Sequence, residues 1–270
     1  MLHVRVNDTE MVYLELGQGA PLVLVHGSMC DFRIWSPVLG PLSRQHRVIA
    51  PSLRHFFPAR WDGQGATYKI AQHVADMIAF IEALKCGPVQ LLGQSRGGHI
   101  AFRVAQQRPD LVAKLVLAEP GGELAASLAP EGMPPGPQGA ILREAAAKVA
   151  AGDIDGGLMQ FVDGINFAGL WQRLPEAMKQ ETRDNAMTLV GQADEGRRPF
   201  TRAEAESIRM PTLFIGGAET KGGLPIILRA LAAHVPGARL EMIDKAGHMM
   251  FVQNPVRFSE IVNAFLGGRG

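Results

Sequence analysis

The chain has 270 residues, 47% of them apolar, with 27 Lys and Arg against 26 Asp and Glu and a formal net charge of +1. That length and apolar share suit one large domain or a core with an insertion, and the charge balance gives no indication of nucleic acid or an anionic membrane as partner. Two cysteines without metal-type spacing, Cys30 and Cys86, fit a reducing compartment better than a disulfide framework; with no basic-then-apolar leader and no apolar run of membrane length, a soluble cytoplasmic protein is expected.

In chain order, residues 3–6, 11–16 and 21–27 alternate or run apolar and read as strands, and 46–53 as another. Residues 68–84 place Ile70, Val74, Met77, Ile78, Ile81 and Leu84 on one helical face. Strand 88–94, a helix over 97–112 closing at Pro109, and strand 113–120 follow. Strands alternating with helices imply βαβ units and a mostly parallel sheet.

The pattern then changes. Residues 123–138, rich in Pro, Gly and small side chains, read as a linker, and 139–153, 156–167, 171–192 and 201–210 as mainly helical. The strand signal returns at 211–217, followed by a helix at 225–236, a strand at 238–244 and a terminal helix at 255–266. The expectation is an α/β core over residues 1–122 and 201–270, interrupted by a helical segment over 123–200.

Three motifs carry chemistry. Gly93-Gln94-Ser95-Arg96-Gly97 is a G-x-S-x-G match between an apolar strand and a helix. Glycines on both sides permit a strained turn that displays Ser95 at a helix N-terminus, where the dipole favours developing negative charge. His26-Gly27-Ser28 ends an earlier strand, and the loop after it can present a backbone N–H to an oxyanion, with the N–H of Arg96 as second donor; His26 itself reads as a brace for the loop. The stretch 240–255 presents His248 after Gly247. A serine hydroxyl is a weak nucleophile until an imidazole takes its proton, and among eight histidines His248 suits that role because it follows a late strand.

"VHGS", "GQSRGG" and "AGH" in that order, with a helical insertion after the sixth strand, resemble the α/β-hydrolase fold superfamily, in a serine esterase or lactonase-like form with a helical cap. The resemblance spans essentially the whole chain. It implies a mostly parallel eight-stranded sheet flanked by helices, Ser95 as nucleophile, His248 as base, the N–H groups of Ser28 and Arg96 as oxyanion hole, and a cap over the pocket.

The sequence departs from that pattern in two places. The family often carries its acid in a loop reading P-T-L-x-x-x-G-x-x-D, and here Thr220 stands at the aspartate position. Glu119 is favoured in its place, because in a parallel sheet the carboxyl ends of the strands open on one rim; Glu219 is the alternative, and Asp244 a weaker one. The second departure is at 52–57, where bulkier residues replace a glycine-containing turn. Met29, His55, Phe56, Trp61, Trp171 and Met249 are pocket-wall candidates, with Phe32, Trp35, Phe161, Phe167 and Met250 as further ones.

The expected function is hydrolysis of a carboxylic ester or lactone of a small to medium, moderately hydrophobic substrate through an acyl-enzyme on Ser95, with neither metal nor organic cofactor implied. Alternatives are carbon–carbon bond hydrolysis, cofactor-independent oxygenation, and a ligand receptor that keeps the fold without catalysis. Oligomeric state stays open.

Overall fold

The computed structural model describes residues 1–64, 68–131 and 138–268. Strands β1 (Leu2–Val6), β2 (Thr9–Leu16), β3 (Ala20–Val25), β4 (His46–Pro51), β5 (Val89–Gln94), β6 (Val112–Ala118), β7 (Thr212–Gly217) and β8 (Arg239–Ile243) form one sheet in the order β1-β2-β4-β3-β5-β6-β7-β8. The first two pairings, β1 with β2 and β2 with β4, are antiparallel, and the other five are parallel. The mostly parallel sheet expected from the strand–helix alternation is therefore present.

The helices are α1 (Ser36–Ser43), α2 (Ile70–Ala83), α3 (Arg96–Gln107), α4 (Gln138–Ala150), α5 (Ile154–Ile165), α6 (Leu170–Arg173), α7 (Glu176–Asp184), α8 (Met187–Gln192), α9 (Arg202–Glu206), α10 (Gly223–His234), α11 (Met250–Gln253) and α12 (Pro255–Gly267). Both faces of the sheet are covered, which is why its central strands read as unbroken apolar runs. Alternate residues of β3 show it: Val23 and Val25 join one core with Phe80 of α2 and Phe102 of α3, while Leu22 and Leu24 join another with Trp35 and Phe258.

Helices α4 to α9 stand between β6 and β7. A third core, with Ala145, Val149, Leu158, Trp171 and Leu189, belongs to this segment and takes in Met29 from the sheet side. The linker expected over 123–138 lies partly outside the described residues; within its described part Leu124 pairs with Phe200, so the segment leaves and re-enters the core side by side. Re-entry is fixed by a capping box: Thr201 Oγ1 accepts from the Glu204 N–H and the Glu204 carboxylate accepts from the Thr201 N–H.

The stretch 171–192, read as mainly helical, is three helices separated at Pro175 and Asn185. Helix α1 had no sequence signal, because Gly40 and an internal Pro41 mask it.

Helix α3 lies against the sheet at a distance only glycine allows. A methyl group on Gly97 would overlap the carbonyl oxygens of Val25 and His26, and one on Gly93 would overlap the Gly97 carbonyl and sit 2.8 Å from Ala101 Cβ. Backbone cannot retreat here without opening the β3–β5 register. Gly97→Ala therefore lowers the unfolding free energy by roughly 3 kcal/mol, the upper part of the range for overpacked cores, in urea melts; a change below about 0.5 kcal/mol contradicts the contact.

Candidate active site

Ser95 is the single residue between β5 and α3, at φ 52° and ψ −119°. A non-glycine residue held there stores about 1–3 kcal/mol of strain, which the surroundings must over-determine. They do so through three backbone bonds: the Ser95 N–H donates to the Ala118 carbonyl (3.0 Å), and the Ser95 carbonyl accepts from His99 (3.1 Å) and Gly121 (2.8 Å). Arg96 is the first residue of α3, so its N–H has no intrahelical acceptor. The loop after β3 passes close by: a methyl on Gly27 would overlap Gln94 Oε1 and lie 3.3 Å from Ser95 Cβ. Ser28 and Met29 follow, Met29 at φ 53°. The Ser28 N–H makes no hydrogen bond among the described residues.

Ser28, Gln94, Ser95 and His248 open into a cavity of about 590 Å³, a volume ordinary for a small-molecule site. Its far wall comes from the insertion, with Leu142, Phe161, Val162, Ile165, Leu174 and Met178.

His248, buried in the loop after β8, faces two partners. Its Nδ1 is 2.7 Å from Glu119 Oε2, and its Nε2 is 3.1 Å from Gln94 Nε2. The Gln94 amide donates, so the Nε2 lone pair is unprotonated and the ring proton sits on Nδ1, facing the carboxylate. Glu119 is fully buried, at φ 42°, and its other oxygen, Oε1, accepts from the Gly217 N–H at 2.9 Å.

The structure brings Ser95, His248 and Glu119 to one rim and leaves the other acids outside. Glu219 is exposed and its N–H donates to the Ala246 carbonyl, with no side-chain bond among the described residues, and Asp244 is exposed at the end of β8. The Thr220 hydroxyl is buried without a partner among the described residues.

Among the wall candidates, Met29, Met249 and Phe161 line the cavity. The other eight candidates do not. His55, Phe56 and Trp61 pack instead with Tyr68 and His73, the rings of His55 and Trp61 stacking at 4.6 Å, because the loop after β4 folds back on itself. Trp171 is buried in the core of the insertion. Phe32, Trp35 and Met250 belong to a sheet-face core, and Phe167 is exposed. His26 is buried, donates from Nδ1 to the Gly27 carbonyl (2.9 Å) and accepts the Leu53 N–H at Nε2 (3.0 Å). Burial pushes its pKa down to about 4, so it braces the loop as a neutral ring.

A cluster the sequence did not single out lies beneath the elbow. The Arg96 side chain is fully buried and donates to Glu195 Oε2 from Nε (2.9 Å) and Nη2 (2.7 Å), and from Nη2 to His73 Nδ1 (2.6 Å). Arg197 donates to the other Glu195 oxygen from Nε (3.0 Å) and Nη2. Burial raises the Glu195 carboxyl pKa, but Arg96 and Arg197 outweigh it and hold it below the usual carboxylate range. Burial and then Arg96 hold His73 neutral. Little in the sequence points to this, since Asp-Glu-Gly-Arg-Arg reads as a solvated loop; the one hint was an arginine at a βα junction without other charge. Among the described residues no group of three or more His, Cys, Asp or Glu side chains is placed to hold a metal ion, and no helix is long and apolar enough to cross a membrane.

A family model described as alpha/beta hydrolase fold matches residues 20–255. The chain is similar in structure to the enol-lactonase of Burkholderia xenovorans LB400, at a TM-score of 0.80 and 21% identity, covering 99% of this chain and 100% of that one. It is similar to Est816, described as an N-acyl homoserine lactone degrading enzyme, at a TM-score of 0.77 and 26% identity over 98% of this chain and all of that one. A shorter match, 37% identical over 107 residues and 38% of each chain, joins it to the 2-hydroxy-6-oxo-2,4-heptadienoate hydrolase of Pseudomonas putida.

The Arg96–Glu195 pair generates a stability prediction. Removing one partner of a buried pair leaves the other charge uncompensated, so Glu195→Gln lowers the unfolding free energy by about 3 kcal/mol. Glu176→Gln, which loses an exposed pairing to Arg183, changes it by less than about 0.5 kcal/mol. Chemical denaturation of the two variants side by side measures both, and equal small effects count against the buried pair.

Proposed function

The chain belongs to the alpha/beta hydrolase fold family, and from that premise we propose that it is a serine hydrolase that cleaves a carboxylic ester or lactone. The observation that carries the reading is the line of contacts from Glu119 through His248 to the neighbourhood of Ser95, at the floor of a cavity with a mainly apolar far wall.

In this reading Ser95 Oγ attacks the carbonyl carbon and His248 Nε2 takes its proton, exchanging the Gln94 amide for the serine hydroxyl as the substrate enters. The positive charge that then develops on the imidazole is stabilised by Glu119, which also holds the proton on Nδ1 and keeps the ring oriented. The oxyanion rests on the N–H groups of Ser28 and Arg96, the latter at the positive end of α3. The leaving alkoxide collects its proton from His248. Water, deprotonated by the same imidazole, cleaves the acyl-enzyme and restores Ser95. A lactone follows the same course, with the alcohol left tethered to the acyl chain. The helices between β6 and β7 act as a cap, whose apolar wall receives a small to medium substrate. The similarity to Est816 at 26% identity supports the ester and lactone class.

A second reading, carbon–carbon bond hydrolysis by the same three residues, is favoured by the 37% identity to the Pseudomonas putida heptadienoate hydrolase over 107 residues.

A panel of p-nitrophenyl esters separates the two. The proposal expects turnover and, in single-turnover mass spectrometry, an acyl adduct on Ser95 that is absent from Ser95→Ala; no adduct and no turnover with any ester count against it. Glu119→Gln loses roughly 10³–10⁴-fold in kcat, while Glu219→Gln stays within about threefold of the parent. If the second variant is the inactive one, the acid is Glu219.

A further inference from the structure

Arg197 ends beside the nucleophile with part of its guanidinium unspent. Its Nε and Nη2 are committed to Glu195, whereas Nη1 makes no hydrogen bond among the described residues. Its surroundings are marked by Gly121. A methyl group on that glycine would lie 3.3 Å from Arg197 Nη1, 3.4 Å from the carbonyl carbon of Ser95 and 3.5 Å from the amide nitrogen of Arg96. A glycine at 121 thus leaves open the small space shared by the free guanidinium nitrogen and the proposed oxyanion donor. Arg197, Gly121 and Ser95 all line the same cavity.

The charge around this space is not balanced. Glu195 is the one carboxylate between two guanidinium groups, so the cluster Arg96–Glu195–Arg197 carries a net positive charge. Two neighbouring imidazoles do not add to it: His73 is neutral, and burial, then Arg197 and Arg103, hold His99 neutral as well. The other acids lining the cavity are Asp31, Glu181 and Glu123. Asp31 is bound by Arg33 (2.9 and 2.7 Å) and by Asn185 (2.7 Å). Burial pushes up the pKa of Glu181, which stands near Arg33 and Asp31. Glu123 and Arg143 flank Gly139 together, at 3.9 and 3.4 Å from a methyl placed there. An uncompensated positive charge in a partly dry cavity is stabilised by an anion that arrives with the ligand.

We propose that Arg197 Nη1 anchors a carboxylate of the substrate, so that the cavity takes a carboxylate-bearing acyl compound whose acid group lies a few bonds from the scissile carbonyl, with an apolar remainder against the cap. The place given to the carbonyl rests on the serine-hydrolase reading; the anion subsite itself does not. The short spacing follows from the open volume at Gly121, which a carbonyl oxygen on the Arg96 N–H and a carboxylate on Arg197 must share. Arg197 is a specificity-determining residue here, not a proton-transfer one.

Binding tests this without turnover. On a Ser95→Ala background, calorimetric titration compares monomethyl succinate, a monoanion, with dimethyl succinate, its neutral counterpart. The expected result is roughly tenfold or greater preference for the monoanion, abolished in Ser95→Ala/Arg197→Gln and partly kept in Ser95→Ala/Arg197→Lys. Equal affinities, a preference that survives Arg197→Gln, or no measurable binding of the monoanion overturns the subsite. Thermal melts of each variant confirm that the fold is intact, and the lysine variant carries the test if glutamine unfolds the chain. Hydrolysis of both esters by the parent chain without any monoanion preference in binding leaves the hydrolase reading standing and removes this one. Selective binding of the monoanion with neither ester cleaved does the reverse.

Discussion

A carboxylate with no access to water must have its partners supplied by the protein, and at Glu119 that requirement organises the molecule. The side chain is fully buried at the end of β6. One oxygen is met by the Gly217 N–H at the end of β7, and the other by the His248 imidazole from the loop after β8. Three neighbouring segments are thereby fixed to one point, and removing any of these donors would leave a charge facing apolar neighbours, which costs far more than a single hydrogen bond is worth. The backbone adapts as well, since Glu119 takes a left-handed φ of 42°. Its N–H still pairs with the Ile215 carbonyl (3.0 Å), so the carboxylate turns inward without the strand end coming loose.

The second buried charge system is centred on Arg96, the residue after Ser95. Arg96 has no exposed surface, and its partner Glu195 comes from the segment that returns from the insertion to the core. The elbow and the return segment are therefore joined by an ion pair in low dielectric, where geometry is strict and loss of one partner is severe. Two further bonds tie the insertion to the core on other sides: Asn185 donates to Asp31 and accepts from the Phe57 N–H. The insertion is thus held to the core by polar contacts, while its interior is packed by aliphatic and aromatic side chains. Such polar contacts fix orientation in a way that apolar packing alone does not.

Most of the sheet was legible because its physics is local. Buried parallel strands give unbroken apolar runs, and the alternation of Leu22 and Leu24 with Val23 and Val25 shows why both faces must be apolar. Ser95 and His248 were legible for a related reason: glycines and strand ends mark them in the sequence itself. Helix α1 was hidden by Gly40 and Pro41, residues that local propensity counts against and that tertiary packing of Val38 and Leu42 overrides. The cavity wall was the least legible part. Phe56 and Trp171 have the character of lining residues, but whether an aromatic faces a cavity or a core depends on contacts distant in sequence. Arg197 and Glu195 carry the opposite lesson, since a run of charge that reads as solvated is drawn inward by Arg96, 99 positions from Glu195.

The position of Glu119 follows from the sheet rather than from the loop after β7. Strands β6 and β7 are adjacent and parallel, with Ala118 beside Ile215, so their carboxyl ends reach the rim together. A carboxylate leaving either strand end arrives in the same small volume, and the imidazole responds to that volume, not to the sequence position that filled it. Glu119 occupies it from β6 and uses the Gly217 N–H of β7 as a second anchor. On the loop after β7, Glu219 faces solvent and the Thr220 hydroxyl is buried without a partner among the described residues.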